Sequence, residues 1–216
     1  NLKSWNPNPN STGEIFCLYP FEKKVYVGGN FSTIGGQTRN RIALVDSVTG
    51  NAKSWNPNAN GIVYCITADS SQVFVGGSFT TIGGSTRNRI AIIDSASATA
   101  GSWNPNAAAS VNKIIVKQNL VFVAGSFITI GGESRRYIAA LSRQSSGKAN
   151  SWNPSSINII HDIQISDTSV YVAGEFESIG GVPRNRLAAL DSKTGSLKAW
   201  NPNSSGKVFT IAISNN

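Results

Sequence analysis

The side chains that could carry chemistry sit in few places. The single histidine, His161, is followed directly by Asp162, the residue types from which a nucleophile-activating triad is built. Adjacent residues of a strand point to opposite faces, so a strand here keeps the two apart. The corresponding places elsewhere in the chain hold Phe16, Tyr64, Asn112 and Phe209, and a packed histidine in place of an aromatic is expected. The two cysteines, Cys17 and Cys65, stand 48 residues apart. A disulfide needs Cα atoms within about 7 Å, so two buried thiols are expected instead. Zinc draws on clustered His, Cys and carboxylate groups, and calcium on several carboxylates close together. One His, two Cys and 11 scattered acids supply neither. The expectation is a protein that is not an enzyme, with no cofactor and no metal.

The basic residues form columns. The chain carries a net charge of +8 with a pI near 9.7, a balance that can signal nucleic acid. Of the nine arginines, however, Arg39, Arg87, Arg135 and Arg184 fall at one recurring place and Arg41, Arg89 and Arg186 at another. No run of Lys and Arg exceeds two residues, so no nucleic-acid partner is expected. Asp46, Asp94 and Asp191 follow the second column by five residues. Where Tyr137 replaces the arginine, Ser142 replaces the aspartate. Breaking one side of a buried ion pair costs about 3–5 kcal/mol, so joint loss predicts structural ion pairs of Arg41, Arg89 and Arg186 with Asp46, Asp94 and Asp191, the five-residue offset placing partners on opposite strand faces and leaving room for the bond to cross between blades.

These columns exist because the sequence repeats. Trp-Asn-Pro occurs at Trp5, Trp55, Trp103, Trp152 and Trp200, at spacings of 50, 48, 49 and 48. Between these phrases lie VGGNFSTIGG, VGGSFTTIGG, VAGSFITIGG and VAGEFESIGG, each followed by a phrase such as TRNRIALVDS. Short β-branched and aromatic runs punctuated by turn residues indicate strands, and no segment has helical periodicity. Each unit of about 49 residues is read as a four-stranded antiparallel blade of an all-β propeller. An open β-solenoid is the second reading. The expected array is one domain, 1–216. Residues 1–10 are the outer strand of a partial blade, the full blades are 11–58, 59–106, 107–155 and 156–203, and 204–216 form the inner strand of a further blade. The chain begins at Asn1 without Met, and this register predicts a segment of a longer propeller whose remaining blades would be partners.

The phrases GGxFxxIGG, RNRIA and SWNPN resemble kelch-like or delta-sixty-type repeats of bacterial surface and secreted proteins. That resemblance covers essentially the whole chain. It implies an extracellular or cell-surface binding, adhesive or scaffolding role and names no ligand. Charged residues are only 14% of the chain, against about 25% in an average soluble domain, and Gly, Asn, Ser and Thr fill the gap. No apolar stretch approaches the roughly 18 residues of a membrane span. The first functional expectation is a protein-interaction scaffold. The second is a multivalent carbohydrate-binding, lectin-like face that binds surface polysaccharide through Trp55, Asn56, Asn58, Arg87, Asn88, Trp103, Asn104, Asn106, Arg135 and Arg184. Against it, Asn and Pro make turns, Trp fills blade edges and Arg caps carbonyls. A further column, Cys17, Cys65, Lys113, Asp162 and Thr210, changes from repeat to repeat. An asymmetric ligand would be read at such a place.

Overall fold

The computed structural model describes residues 5–10, 12–144 and 146–214, and among these the regular structure is entirely β. The chain divides into two compact units, Asn1–Asn104 and Pro105–Asn216. Residues 1–4 of the expected outer strand 1–10 and residues 215–216 of the expected inner strand 204–216 lie outside the described residues, and residues 5–10 form no strand.

The first unit contains β1 (Glu14–Phe21), β2 (Lys24–Asn30), β3 (Thr33–Ile34), β4 (Gln37–Thr38), β5 (Ile42–Asp46), β6 (Val63–Ala68), β7 (Gln72–Gly77), β8 (Thr81–Ile82), β9 (Ser85–Thr86) and β10 (Ile90–Asp94). The second repeats the series with β11 (Val111–Lys117), β12 (Leu120–Gly125), β13 (Thr129–Ile130), β14 (Glu133–Ser134), β15 (Ile138–Ser142), β16 (Ile160–Ile165), β17 (Ser169–Gly174), β18 (Ser178–Ile179), β19 (Val182–Pro183) and β20 (Leu187–Asp191). Four three-stranded antiparallel sheets result, β1-β2-β5, β6-β7-β10, β11-β12-β15 and β16-β17-β20. Each has a two-stranded hairpin in the connection between its second and third strands: β3-β4, β8-β9, β13-β14 and β18-β19.

The middle strand of each sheet is covered on both faces, which is why it reads as an unbroken apolar run. Val73, Phe74 and Val75 of β7 are all buried, as are Val121, Phe122 and Val123 of β12. In the first unit one core joins the first and second sheets through Tyr26, Leu44, Trp55, Val63, Ile66 and Ile93. In the second unit Phe122, Ile138, Trp152, Ile160, Ile163 and Phe176 join the third and fourth.

The expected fourth strand of each blade is reduced to a single bridge: Val45↔Ala52, Ile93↔Ala100, Leu141↔Ala149 and Leu190↔Leu197. Its backbone serves two masters. The Lys53 N–H donates to Leu44 of β5, while the Ala52 N–H donates to Gly35 in the hairpin turn. A segment that faces a strand on one side and a turn on the other has no room for a ladder before Trp55 and Pro57 carry the chain away. The third strand starts at Ile90, one residue later than expected, because Arg89 has φ +64° and is left-handed. Arg41, Tyr137 and Arg186 share that conformation at φ 64°, 68° and 63°.

Each first strand carries a bulge at the same place. The register skips between Ile15 and Cys17, Val63 and Cys65, Val111 and Lys113, and Ile160 and Asp162. Phe16, Tyr64, Asn112 and His161 are therefore the extra, unpaired residues. Glycine opposite the bulge allows the close approach: a Cβ on Gly29 would run into the Glu14 carbonyl, and one on Gly125 into that of Ser110. The described residues 204–214 of the expected inner strand 204–216 form no strand. From Lys207 they lie along the fourth sheet, where the Val208 N–H donates to the Gly174 carbonyl.

Candidate functional site

The repeated residues turn out to be occupied with holding the sheets together. Trp55 and Trp103 are each 4% exposed, so neither offers the stacking face a sugar needs, which corrects that expectation. Trp55 meets Tyr26 of β2 edge-on at 5.1 Å and its Nε1–H donates to the Asp94 carbonyl at 2.9 Å, tying the first sheet to the second. Trp152 does the same in the second unit, with Phe122 at 5.2 Å and the Asp191 carbonyl at 2.9 Å. Trp103 packs against Phe74 at 6.3 Å.

The rest of the phrase is turn chemistry. Pro57 offers its carbonyl to the Gly83 N–H. Asn58 and Asn106 have φ 54° and 53°, a left-handed conformation that asparagine tolerates better than most residues. Asn58 Oδ1 accepts from Asn40 Nδ2 at 2.7 Å, as Asn203 does from Asn185. Asn56 and Asn104 are exposed and Asn88 is half-buried.

The arginine column braces carbonyls. Arg39 donates from Nη1 to Thr38 and from Nη2 to Lys53, at 2.8 and 2.7 Å. Arg135 donates likewise to Ser134 at 2.8 Å and Asn150 at 2.7 Å. Arg87 bonds the carbonyls of Thr86 and Gly101, and Arg184 that of Pro183. In Arg39, Arg87 and Arg135 one planar fork thus clamps the hairpin to the segment that replaces the fourth strand, while the described bond of Arg184 stays within the hairpin.

The three Arg–Asp pairs do not form. In each pair the arginine precedes a five-residue strand and the aspartate ends it, and five steps of about 3.3 Å set the two about 16 Å apart. Arg41 instead donates to the Ala59 carbonyl at 3.2 Å, and Arg186 pairs with Glu177 at 3.0 Å. The aspartates cap the next turn. Asp46 Oδ1 accepts from the backbone of Val48 and Thr49, and Oδ2 pairs with Lys53 at 2.7 Å. That Lys53 bond, then the backbone bonds, hold the Asp46 carboxyl far below the usual range. Asp94 is lowered chiefly by the Ser97 backbone and Asp191 by the Thr194 backbone. Ser142, at the same place in its turn, donates instead to the Gln144 carbonyl at 2.8 Å.

What is left unassigned by architecture is the bulge. In the first unit Phe16 is 46% exposed and meets Tyr64 at 5.4 Å. In the second unit the same position is polar. Asn112 Nδ2 donates to the Ile160 carbonyl at 3.2 Å. His161 Nε2 lies 3.1 Å from Glu175 Oε1, whose other oxygen pairs with Lys207 at 2.8 Å. His161 is thus half-buried beside Phe209, at 4.9 Å, rather than packed in a core. Lys207 first, and His161 second, lower the Glu175 carboxyl.

Asp162, just past the bulge, makes a separate set of contacts. It is 5% exposed and lies 2.9 Å from Lys113 Nζ. The geometry of that contact is ionic; the Oδ1 atom makes no directed hydrogen bond. On Oδ2, Asp162 accepts from Thr210 Oγ1 at 2.9 Å and the Ile211 N–H at 3.1 Å. The variable column therefore runs from sheet to sheet as Lys113, Asp162 and Thr210. In the first unit it holds Cys17 and Cys65, which form no disulfide. A cavity of about 320 Å³ lies at the other end of β11 and β16, crossed by Lys117, which donates to the carbonyls of Ser166 and Asp167 at 2.7 Å each. The sequence reading missed this cavity and the Glu175 and Lys207 contacts, because the bulge that aims His161 toward them is visible only in the register.

Comparison with known proteins agrees with this architecture. The model of a family described as a domain of unknown function (DUF5122) β-propeller matches residues 23–50, 71–91 and 166–197. That match supports a β-propeller repeat. No curated protein sequence matches the chain. Among solved structures, the computationally designed Ika8 protein aligns over the whole chain at TM-score 0.65 and 12% identity, and the chain spans 57% of it. The designed Ika4 protein aligns over 89% of the chain and 93% of its own length, at 0.52 and 12%. The extracellular domain of BT4673 from B. thetaiotaomicron, described as a one-component system, aligns over 94% of the chain at 0.56 and 13% identity, with 24% of that domain covered. At such identities the likeness is one of fold. No helix among the described residues is long and apolar enough to cross a membrane.

Proposed function

We propose that this is an extracellular, non-enzymatic β-propeller of kelch-like or delta-sixty type that serves as a protein-interaction scaffold. One observation carries the reading. Apart from Trp200, which is 40% exposed, the repeated Trp and Arg residues with described partners are engaged within the fold and the repeated Asp residues in its turns, while the residues that differ between repeats collect at the bulged ends of the first strands. There Phe16 and Tyr64 give an aromatic pair and Asn112, His161, Glu175 and Lys207 a polar set. Bulges re-aim side chains at functional rims, and aromatic residues are enriched in protein interfaces. The extracellular setting draws on the fold likeness to an extracellular domain and on the low charge content.

The carbohydrate reading keeps the exposed Asn56 and Asn104 but lacks the Trp platform. The deciding experiment screens the purified chain on an extracellular-protein array and a glycan array, beside the variants Phe16→Ala/Tyr64→Ala and Asn56→Ala/Asn104→Ala. Protein binding lost only in the aromatic variant supports the scaffold. Glycan binding lost only in the asparagine variant replaces it with a lectin.

A further inference from the structure

Residues 207–211 rest on the fourth sheet in the seat where one sheet receives the first strand of the next. Within the first unit β6 fills that seat on the first sheet, with Tyr64 against Phe16 and Tyr19 Oη donating to the Ala68 carbonyl at 2.9 Å. Within the second unit β16 fills it on the third sheet, through Asn112 to Ile160 and Lys113 to Asp162. On the fourth sheet the occupant is not a strand, yet each of its contacts is specific. Lys207 pairs with Glu175 at 2.8 Å. The Val208 N–H donates to the Gly174 carbonyl at 3.1 Å. Phe209 lies over His161 at 4.9 Å. Thr210 and the Ile211 amide share one oxygen of buried Asp162.

The three seats differ in what they read. The first is aromatic, the second amide and cationic, the third acidic. Glu175 stands where the other repeats have Asn30, Ser78 and Ser126, and Asp162 where they have Cys17, Cys65 and Lys113. Phe209 is 66% exposed, so the segment lies on the seat rather than within a core.

We infer that the fourth sheet carries a peptide-binding site, selective for an extended segment with a lysine, an aromatic and a hydroxyl residue in the pattern Lys-x-aromatic-Thr, and that residues 207–211 are its ligand in cis. Glu175 reads the cation, His161 the aromatic ring and Asp162 the hydroxyl together with the following amide. A segment of the β1 type cannot replace it: Glu14 would stand where Lys207 does, against Glu175, and Cys17 in place of Thr210 offers only a weak donor to Asp162. The site stands whether or not the protein is a scaffold.

Two measurements on the full chain test this. Hydrogen exchange of the Val208 and Ile211 amides should speed up in Glu175→Lys and in Lys207→Glu. It should return toward the native rate in the double charge swap. Unchanged exchange in the single variants, or no recovery in the swap, overturns the reading role of Glu175. Next, a fluorescein-labelled peptide of residues 205–213 is added to the Lys207→Glu/Thr210→Val variant, whose own segment no longer suits the seat. It should bind, measured by anisotropy, and should bind at least about tenfold more tightly than a peptide of residues 12–20, the effect of one charge-assisted contact. Loosened exchange in that variant without peptide binding, or equal binding of both peptides, overturns the site.

Discussion

Arg135 shows what a repeated residue does here. Its side chain is 11% exposed and ties the hairpin at Ser134 to Asn150. Hydrogen bonds from a charged donor contribute about 1.5–3 kcal/mol each, so Arg135→Ala, which loses two, one of them at an exposed carbonyl, should lower unfolding free energy by about 3 kcal/mol, the low end of their sum. Arg135→Lys should recover only part of it, because an ammonium lacks the fork; urea denaturation of both reports the difference. The turn aspartates make a pH argument. Their folded pKa values lie below the unfolded value of about 3.9, so their contribution is complete above that pH and is lost as acid approaches the folded values. The variant Asp94→Ser, which copies Ser142, should therefore narrow the loss of Tm between pH 5 and about pH 3. An unchanged acid slope would mean that the Ser97 and Ala96 bonds to Asp94 do not couple to folding.

At the scale of the element, the same side chain has different consequences in different sheets. Trp152 is 1% exposed and spans two sheets of the second unit, whereas Trp200 meets Tyr171 at 5.3 Å and is 40% exposed. Large-to-Ala changes in a core cost about 3–5 kcal/mol. Trp152→Ala should reach that range and Trp200→Ala should stay near 1 kcal/mol or below, since its ring is not enclosed. Equal losses would show that exposure does not separate them. The bulge makes a second case: Gly125→Ala places a Cβ against the Ser110 carbonyl, where backbone cannot give, and an overpacking loss of about 1–3 kcal/mol is expected in the same assay. These elements also show the limit of reading from sequence. Trp spacing and β-branched runs made the three main strands of each sheet legible, because each is a local signal, whereas the two-stranded hairpins around the Gly-Gly pairs were expected only as loop. The fourth strand was not legible, since Ala52 divides its bonds between β5 and a hairpin turn that only the assembled fold brings near. The Arg–Asp pairing failed for a related reason: a shared pattern of loss at Tyr137 and Ser142 reports two neighbouring turns, not a bond, and a strand holds its ends apart.

At the scale of the whole molecule, the two units use one architecture and different glue at the varying positions. The first unit lines its bulges with Phe16 and Tyr64 and its paired column with Cys17 and Cys65. The second uses Lys113–Asp162 and Glu175–Lys207. Variation at these places was visible in the sequence, but its direction was not, because a residue beside a bulge cannot be assigned to a face until the register is known. Salt separates the two kinds of contact. The Debye length falls to about 3 Å at 1 M, which weakens exposed ion pairs while apolar contacts hold or strengthen. Lys207 is 60% exposed in its pair and Lys113 31%, with Asp162 at 7%. Raising NaCl from 0.05 to about 1 M should therefore speed exchange at Val208 first, change the Lys113–Asp162 neighbourhood less, and leave β1 and β6 of the first unit unaffected. Uniform acceleration across both units would show that the charged column contributes no more to holding its strands than the aromatic one does.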